Sequence, residues 1–117
     1  MNNLTYEMQG LTWQARKKNQ QDAILIKNKV IYDKGRYSSL NISTDKNAWC
    51  VAVADGISSQ PNSDKAAIAV LEIINEYYKN NTADIRLSYI QEVLCSKLKA
   101  KSVIDSATTM ALIRHSA

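Results

Sequence analysis

Residues 50–60 read CVAVADGISSQ, an apolar run that stops at a single carboxylate, followed by Gly and then small polar residues. Val51, Ala52, Val53 and Ala54 are small or β-branched, so the run predicts a buried strand rather than a helix. Asp55 and Gly56 mark its end. An acid in that place is either a turn former or a ligand, and the rest of the chain must decide between them.

Working outward, the strand is expected over Ala48–Ala54. Downstream, residues 57–62 form a loop that holds the only proline, Pro61. Ser63 is suited to cap a helix in which Ala67, Val70, Leu71, Ile74, Tyr77 and Tyr78 recur at spacings of three and four. Asn80 and Asn81 end it, and a second helix follows from about Asp84 to Lys101, with Leu87, Ile90, Leu94 and Leu98 on one side. The run TTMALI then predicts a last strand over Ala107–Ile113.

Upstream, Leu4–Met8 alternates like a half-buried strand, and Gln14–Gln21 is polar. Residues 23–32 regain β character as a hairpin around Lys27–Lys29. Residues 33–47, with Gly35 and several Ser and Thr, read as a loop or flap over a short edge strand. The expected fold is α+β: a mostly antiparallel sheet with two antiparallel helices on one face, their residues Val70, Leu71, Ile74, Leu94 and Leu98 buried together. The final strand has no following partner, so its edge is expected to be open and to support self-association.

Bulk properties narrow the function. The chain has 117 residues, 45% hydrophobic and 22% charged, room for one domain with a modest core. The net charge is +4 and the pI about 9.1, but the densest basic cluster is only Arg16, Lys17 and Lys18, too short for a nucleic-acid tail. Neither nucleic acid nor membrane is expected as a partner, since no apolar run approaches the ~20 residues of a span. MNNLTYEMQG lacks the basic and apolar regions of a secretory signal, which favours a cytoplasmic protein. Cys50 and Cys95, far apart and without a CxxC pattern, read as two buried free thiols.

Three acids, Asp22, Asp33 and Asp55, are candidates for chemistry. Asp22 precedes the AILI strand and Asp55 follows the AWCVAVA strand, so antiparallel pairing of the two brings both carboxylates to one end of the sheet. Two carboxylates with a free carbonyl, which Gly56 presents without a side chain, suit a hard cation such as Mn2+ or Mg2+. The alternative is that both acids only terminate strands. His115, at the end of the last strand, reads as solvated; Trp13, Trp49 and the six Tyr read as core and edge aromatics; Thr108 and Thr109 read as strand residues, with no base paired to them in sequence.

The segments ARKKNQQDA (15–23), WCVAVADGISSQPNSDKAA (49–67) and SATTMALI (106–113), in this order and spacing, resemble the amino-terminal half of the type 2C metal-dependent Ser/Thr protein phosphatases. The Ser58-Ser59 pair resembles a bacterial subgroup. The resemblance implies that residues 1–117 are the amino-terminal portion of one phosphatase-like domain, part of an α-β-β-α sandwich. It implies that Asp55 bridges two Mn2+ or Mg2+ ions, that Gly56 offers its carbonyl to one, and that Asp22, beside Gln21, holds metal-bound waters. Arg16 or Lys17 falls at the phosphate-binding position. Arg16 is preferred because Lys cannot reproduce the planar fork of a guanidinium. Two cations then generate hydroxide from a bridging water for in-line attack on phosphoserine or phosphothreonine of a phosphoprotein.

The family's other metal-binding Asp residues belong to a carboxyl-terminal half with no counterpart among Asp64, Glu72, Glu76, Asp84, Glu92 and Asp105. This chain is therefore expected to be truncated and inactive alone. The rival expectation is a non-catalytic phosphatase-fold module that binds a partner or dimerises.

Overall fold

The computed structural model describes residues 5–13, 22–26, 28–32, 37–44, 48–57, 62–81, 83–103 and 105–116. Among these described residues, six strands and two helices follow in the order β1 (Tyr6–Trp13), β2 (Asp22–Ile26), β3 (Lys29–Ile31), β4 (Tyr37–Thr44), β5 (Ala48–Gly56), α1 (Ser63–Asn80), α2 (Leu87–Ala100) and β6 (Thr108–Ser116). Four strands form an antiparallel sheet in the order β3-β2-β5-β6, and β1 pairs with β4 in a separate two-stranded ribbon. The fold is α+β, as the sequence predicts, and compatible with a phosphatase sandwich.

Alternation along the strands sorts the two faces of the sheet. Ala23, Leu25, Ala52 and Ala54 turn to one face, where they pack with Val70, Leu71 and Ile74 of α1 and Ile90 of α2. Small residues on β5 let α1 come close, and Leu71 and Ile74 are completely buried there. Each such side chain contributes roughly 1.5–3 kcal/mol by leaving water. The helices are antiparallel: Tyr77, late in α1, stacks 5.6 Å from Tyr89, early in α2, while Leu98 packs on Ala66 and Ala69. Leu94 is partly buried between these two clusters. The predicted set thus faces inward, although Leu98 joins the smaller cluster, and Leu87 is 77% exposed rather than on the packed side.

The opposite face carries Ile24 and Ile26, which pack with Met8 of the ribbon. β1 crosses β2 at Gly10, where a Cβ would collide with the Cδ1 atoms of both isoleucines. Glycine is therefore what lets the ribbon approach so closely. Beside it runs an open furrow of about 540 Å3, lined by Leu11, Val51, Val53, Ala111 and Ile113 among others. Val53, Leu11 and Ile113 are each more than half exposed.

Several expectations are corrected. β4 occupies part of the segment read as a loop, because a ladder with β1 from Tyr6↔Thr44 to Trp13↔Tyr37 satisfies its backbone despite its Ser and Asn content. The α1 cap position falls on Asn62, with φ 59°, and Ser63 is the first helical residue; its Oγ accepts the Ala107 N–H at 3.3 Å. Cys95 is exposed on α2, whereas Cys50 is buried as predicted. Burial pushes the Cys50 thiol above its ordinary value, and the Arg114 guanidinium pulls the other way. His115 is not a solvated end. It lies 5.3 Å from the Tyr6 ring and 5.4 Å from Trp49, and its Nε2 is 3.1 Å from the Tyr6 hydroxyl, pinning the ribbon to the sheet.

Among the described residues, no helix is long and apolar enough to cross a membrane. β6 pairs only with β5 among them, leaving its outer edge open.

Candidate metal centre

β5 continues two residues past the predicted end, so Asp55 and Gly56 are strand residues and not a turn. Asp55 stands directly opposite Asp22 of β2 and opposite Thr109 of β6. Residues opposite one another share a face, so Asp22, Asp55 and Thr109 form one row across three strands, on the ribbon side.

The phase of the ladder determines how close the acids come. The Ile57 N–H donates to the Ala107 carbonyl at 2.9 Å, which makes that pair a hydrogen-bonded one. Such pairs recur every second residue, so Asp55–Thr109 is hydrogen-bonded as well, with the Asp55 main-chain groups directed to β6. Toward β2, Asp55 and Asp22 must then form the non-hydrogen-bonded kind of pair, in which side chains sit closest. By the same alternation Gly56 directs its N–H and C=O to the β2 flank, beyond Asp22, the first residue of that strand.

Hydroxyls reinforce this assignment. Thr108 Oγ1 shares its proton between the Thr109 carbonyl at 2.9 Å and the Asp55 carbonyl at 3.1 Å, and Thr109 Oγ1 approaches the Asp55 oxygen at 3.4 Å. The Asp55 carbonyl is thereby engaged from both faces of β6. The Asp55 carboxylate is exposed, whereas Gly56 is buried.

Two carboxylates facing each other repel unless a cation lies between or beside them. Their oxygens, with a peptide carbonyl at hand, are the donor set of Mg2+ or Mn2+ and not of a soft metal. The residues present fit a divalent cation. No cluster of three or more His, Cys, Asp or Glu side chains suited to a metal occurs among the described residues, so this pair stands without a third carboxylate there. Of the other residues expected at the site, Arg16, Lys17 and Gln21, and the third weighed acid, Asp33, lie outside the described residues. Thr108 and Thr109, read from the sequence as strand residues, lie on β6, with both hydroxyls close to the Asp55 carbonyl.

A family model described as protein phosphatase 2C matches residues 14–116. No curated protein and no solved structure matches the chain. The matched segment includes Arg16, the row Asp22–Asp55–Thr109, Gly56 and both helices, nearly the whole of the sequence. The chain belongs to the protein phosphatase 2C family.

Proposed function

We propose that this chain carries part of the catalytic centre of a metal-dependent protein Ser/Thr phosphatase. The observation that carries the reading is the Asp22–Asp55 pair, two carboxylates in close cross-strand register with Gly56 next to them. Membership of the family points to phosphatase chemistry, and the oxygen-only donor set agrees with it. Asp55 and Asp22 would hold Mn2+ or Mg2+ together with the Gly56 carbonyl. When bound, two such ions supply Lewis acidity and an activated water.

The chain's own residues do the remainder. Asp55, fixed in the central strand by ladders on both sides, holds its carboxylate at one position and resists the displacement that weakens a loop-borne ligand. Arg16 is assigned to the substrate phosphate, where a guanidinium makes bidentate contacts that strengthen as charge develops on the oxygens. The substrate class is a phosphoprotein bearing phosphoserine or phosphothreonine, and the compartment is the cytoplasm. With two carboxylates only, a cation is held loosely, and hydrolysis by residues 1–117 alone is expected to be slow.

The test is Mn2+-dependent hydrolysis of p-nitrophenyl phosphate and of a phosphothreonine peptide, by residues 1–117 and by any longer polypeptide containing them. Activity should vanish with EDTA and with Asp55→Asn. Activity that survives both would mean that Asp55 only ends a strand.

A second reading, a non-catalytic phosphatase fold that associates with a second copy, is favoured by the apolar furrow and the open β6 edge. Sedimentation distinguishes it: a concentration-dependent dimer abolished by Ile113→Asp supports association through that face, and a monomer throughout removes it.

A further inference from the structure

We propose that two copies of this chain join β6 to β6, antiparallel and centred on Leu112, so that two four-stranded sheets become one of eight strands. This pairing rests on the second reading above, to which it adds the surface and the register.

The build of β6 carries it. Among the described residues its outer edge has no partner. The strand is nine residues long, and Arg114 is its only Lys, Arg, Asp or Glu. Its ladder with β5 runs from Ala48↔Ser116 to Gly56↔Thr108 without a bulge, and it holds no proline. Shortness, charge, bulges and prolines are the devices that keep an edge strand from recruiting another, and β6 has almost none of them. The opposite edge of the sheet does: β3 is three residues long. Pairing therefore closes at a dimer instead of growing from both edges.

The phase of the ladder determines which main-chain groups are on offer. Ile57 and Ala107 form a hydrogen-bonded pair, so the odd-numbered residues of β6 turn their N–H and C=O to β5. The even-numbered ones, from Thr108 to Ser116, turn theirs to the open edge. In a two-fold antiparallel pair each residue meets one of the same parity, and only a pair centred on Leu112 uses all nine residues. Leu112 then meets the partner's Leu112, and Met110 meets the partner's Arg114. The strands share about ten backbone hydrogen bonds, the number of a standard protein interface.

The side chains agree with this register. Ala111, small and exposed, meets the partner's Ile113, 65% exposed, in the close kind of pair. The two leucines meet on the helix side, where Leu112 is only partly buried. No like charges oppose each other, whereas centring the pair on Arg114 would set two guanidiniums face to face.

The experiment is sedimentation of residues 1–117 over a range of concentrations, with disulfide trapping in a Cys95→Ser background and folding checked by circular dichroism. A dimer is expected. Leu112→Cys should cross-link two copies under mild oxidation, since Cα atoms of a hydrogen-bonded pair lie about 5.5 Å apart, within disulfide range. Ala111→Cys, offset from its own counterpart by two residues, should not. Leu112→Lys opposes two ammonium groups and removes the leucine contact, which should weaken the dimer roughly tenfold. Should Lys disturb the fold, the Leu112→Cys cross-link decides alone. A monomer at every concentration overturns both the pairing and the reading beneath it. A dimer lost with Val53→Asp, in the furrow, yet unchanged by Leu112→Lys and not trapped by Leu112→Cys, leaves that reading standing and overturns the β6 pairing alone. Growth beyond the dimer overturns closure about Leu112.

Discussion

Replacing Asp55 by Asn should reverse its sign of effect depending on whether Mn2+ is present. Directly opposed residues of a non-hydrogen-bonded pair have Cα atoms about 4.5 Å apart. Unit charges ~5 Å apart repel by about 0.8 kcal/mol at the dielectric of water and several times more near ε ~20. Asp55 is exposed, so the lower figure applies, within the roughly 0.2–1 kcal/mol range of cross-strand pairs. About 0.5 kcal/mol, the middle of that range, is the expectation. In EDTA, then, Asp55→Asn should be more stable than the parent by about that amount. With Mn2+ at about ten times a sub-millimolar Kd, the parent gains RT ln 11, about 1.4 kcal/mol, and the variant gains little. The order of stability inverts. Urea unfolding followed by circular dichroism, with and without metal, reads both halves. A variant that is less stable in EDTA and still stabilised by Mn2+ as strongly as the parent would refute the opposed-carboxylate geometry.

Other consequences can be measured on the same protein. Leu71→Ala, at a fully buried position, should cost about 2–5 kcal/mol in urea, while Leu87→Ala, at a 77% exposed one, should stay within about 0.5 kcal/mol. Cys95 should react with a thiol reagent at once and Cys50 only on unfolding, since only Cys95 is exposed. Because the folded Cys50 holds its proton to higher pH than the unfolded thiol, stability should fall as pH rises from the ordinary thiol value through the raised one, and Cys50→Ala should flatten that fall. Asp84→Asn should cost less than about 0.5 kcal/mol, the carboxylate of the 3.2 Å Arg114 pair being 93% exposed, whereas Arg114→Ala should cost more, because its guanidinium also lies 4.3 Å from the Tyr78 ring centre.

Residues whose environment is set by periodicity were legible in the sequence. Ala52 and Ala54 face the helices because they alternate with Val51 and Val53, and Val70, Leu71 and Ile74 follow from helical spacing. The convergence of Asp22 and Asp55 was legible for the same reason, antiparallel strands bringing opposite ends together. What local pattern does not contain is partner choice. YSSLNIST reads as a loop until β1 supplies a ladder, and His115 reads as a strand end until Tyr6, on the far side of the chain, closes on it. Nor could composition reveal whether Asp22 and Asp55 form the close or the wide kind of pair. That phase depends on one bond between Ile57 and Ala107, residues that no motif links.

The row Asp22–Asp55–Thr109 also has a consequence for how the protein reaches its native state. Its members come from three strands separated by long intervening segments, Thr109 being 54 residues beyond Asp55, with both helices between them. Closing such loops costs entropy before any contact repays it, and chains dominated by non-local pairings fold slowly. The helical hairpin can form early from neighbouring residues, but the acids meet only when β2 has docked on β5, and the row is complete only when β6 has joined as well. Metal affinity should therefore appear in the slowest kinetic phase of refolding, after helical signal is complete. In a stopped-flow experiment, a divalent cation would slow unfolding while leaving the folding rate nearly untouched, the signature of a ligand that recognises only the finished sheet.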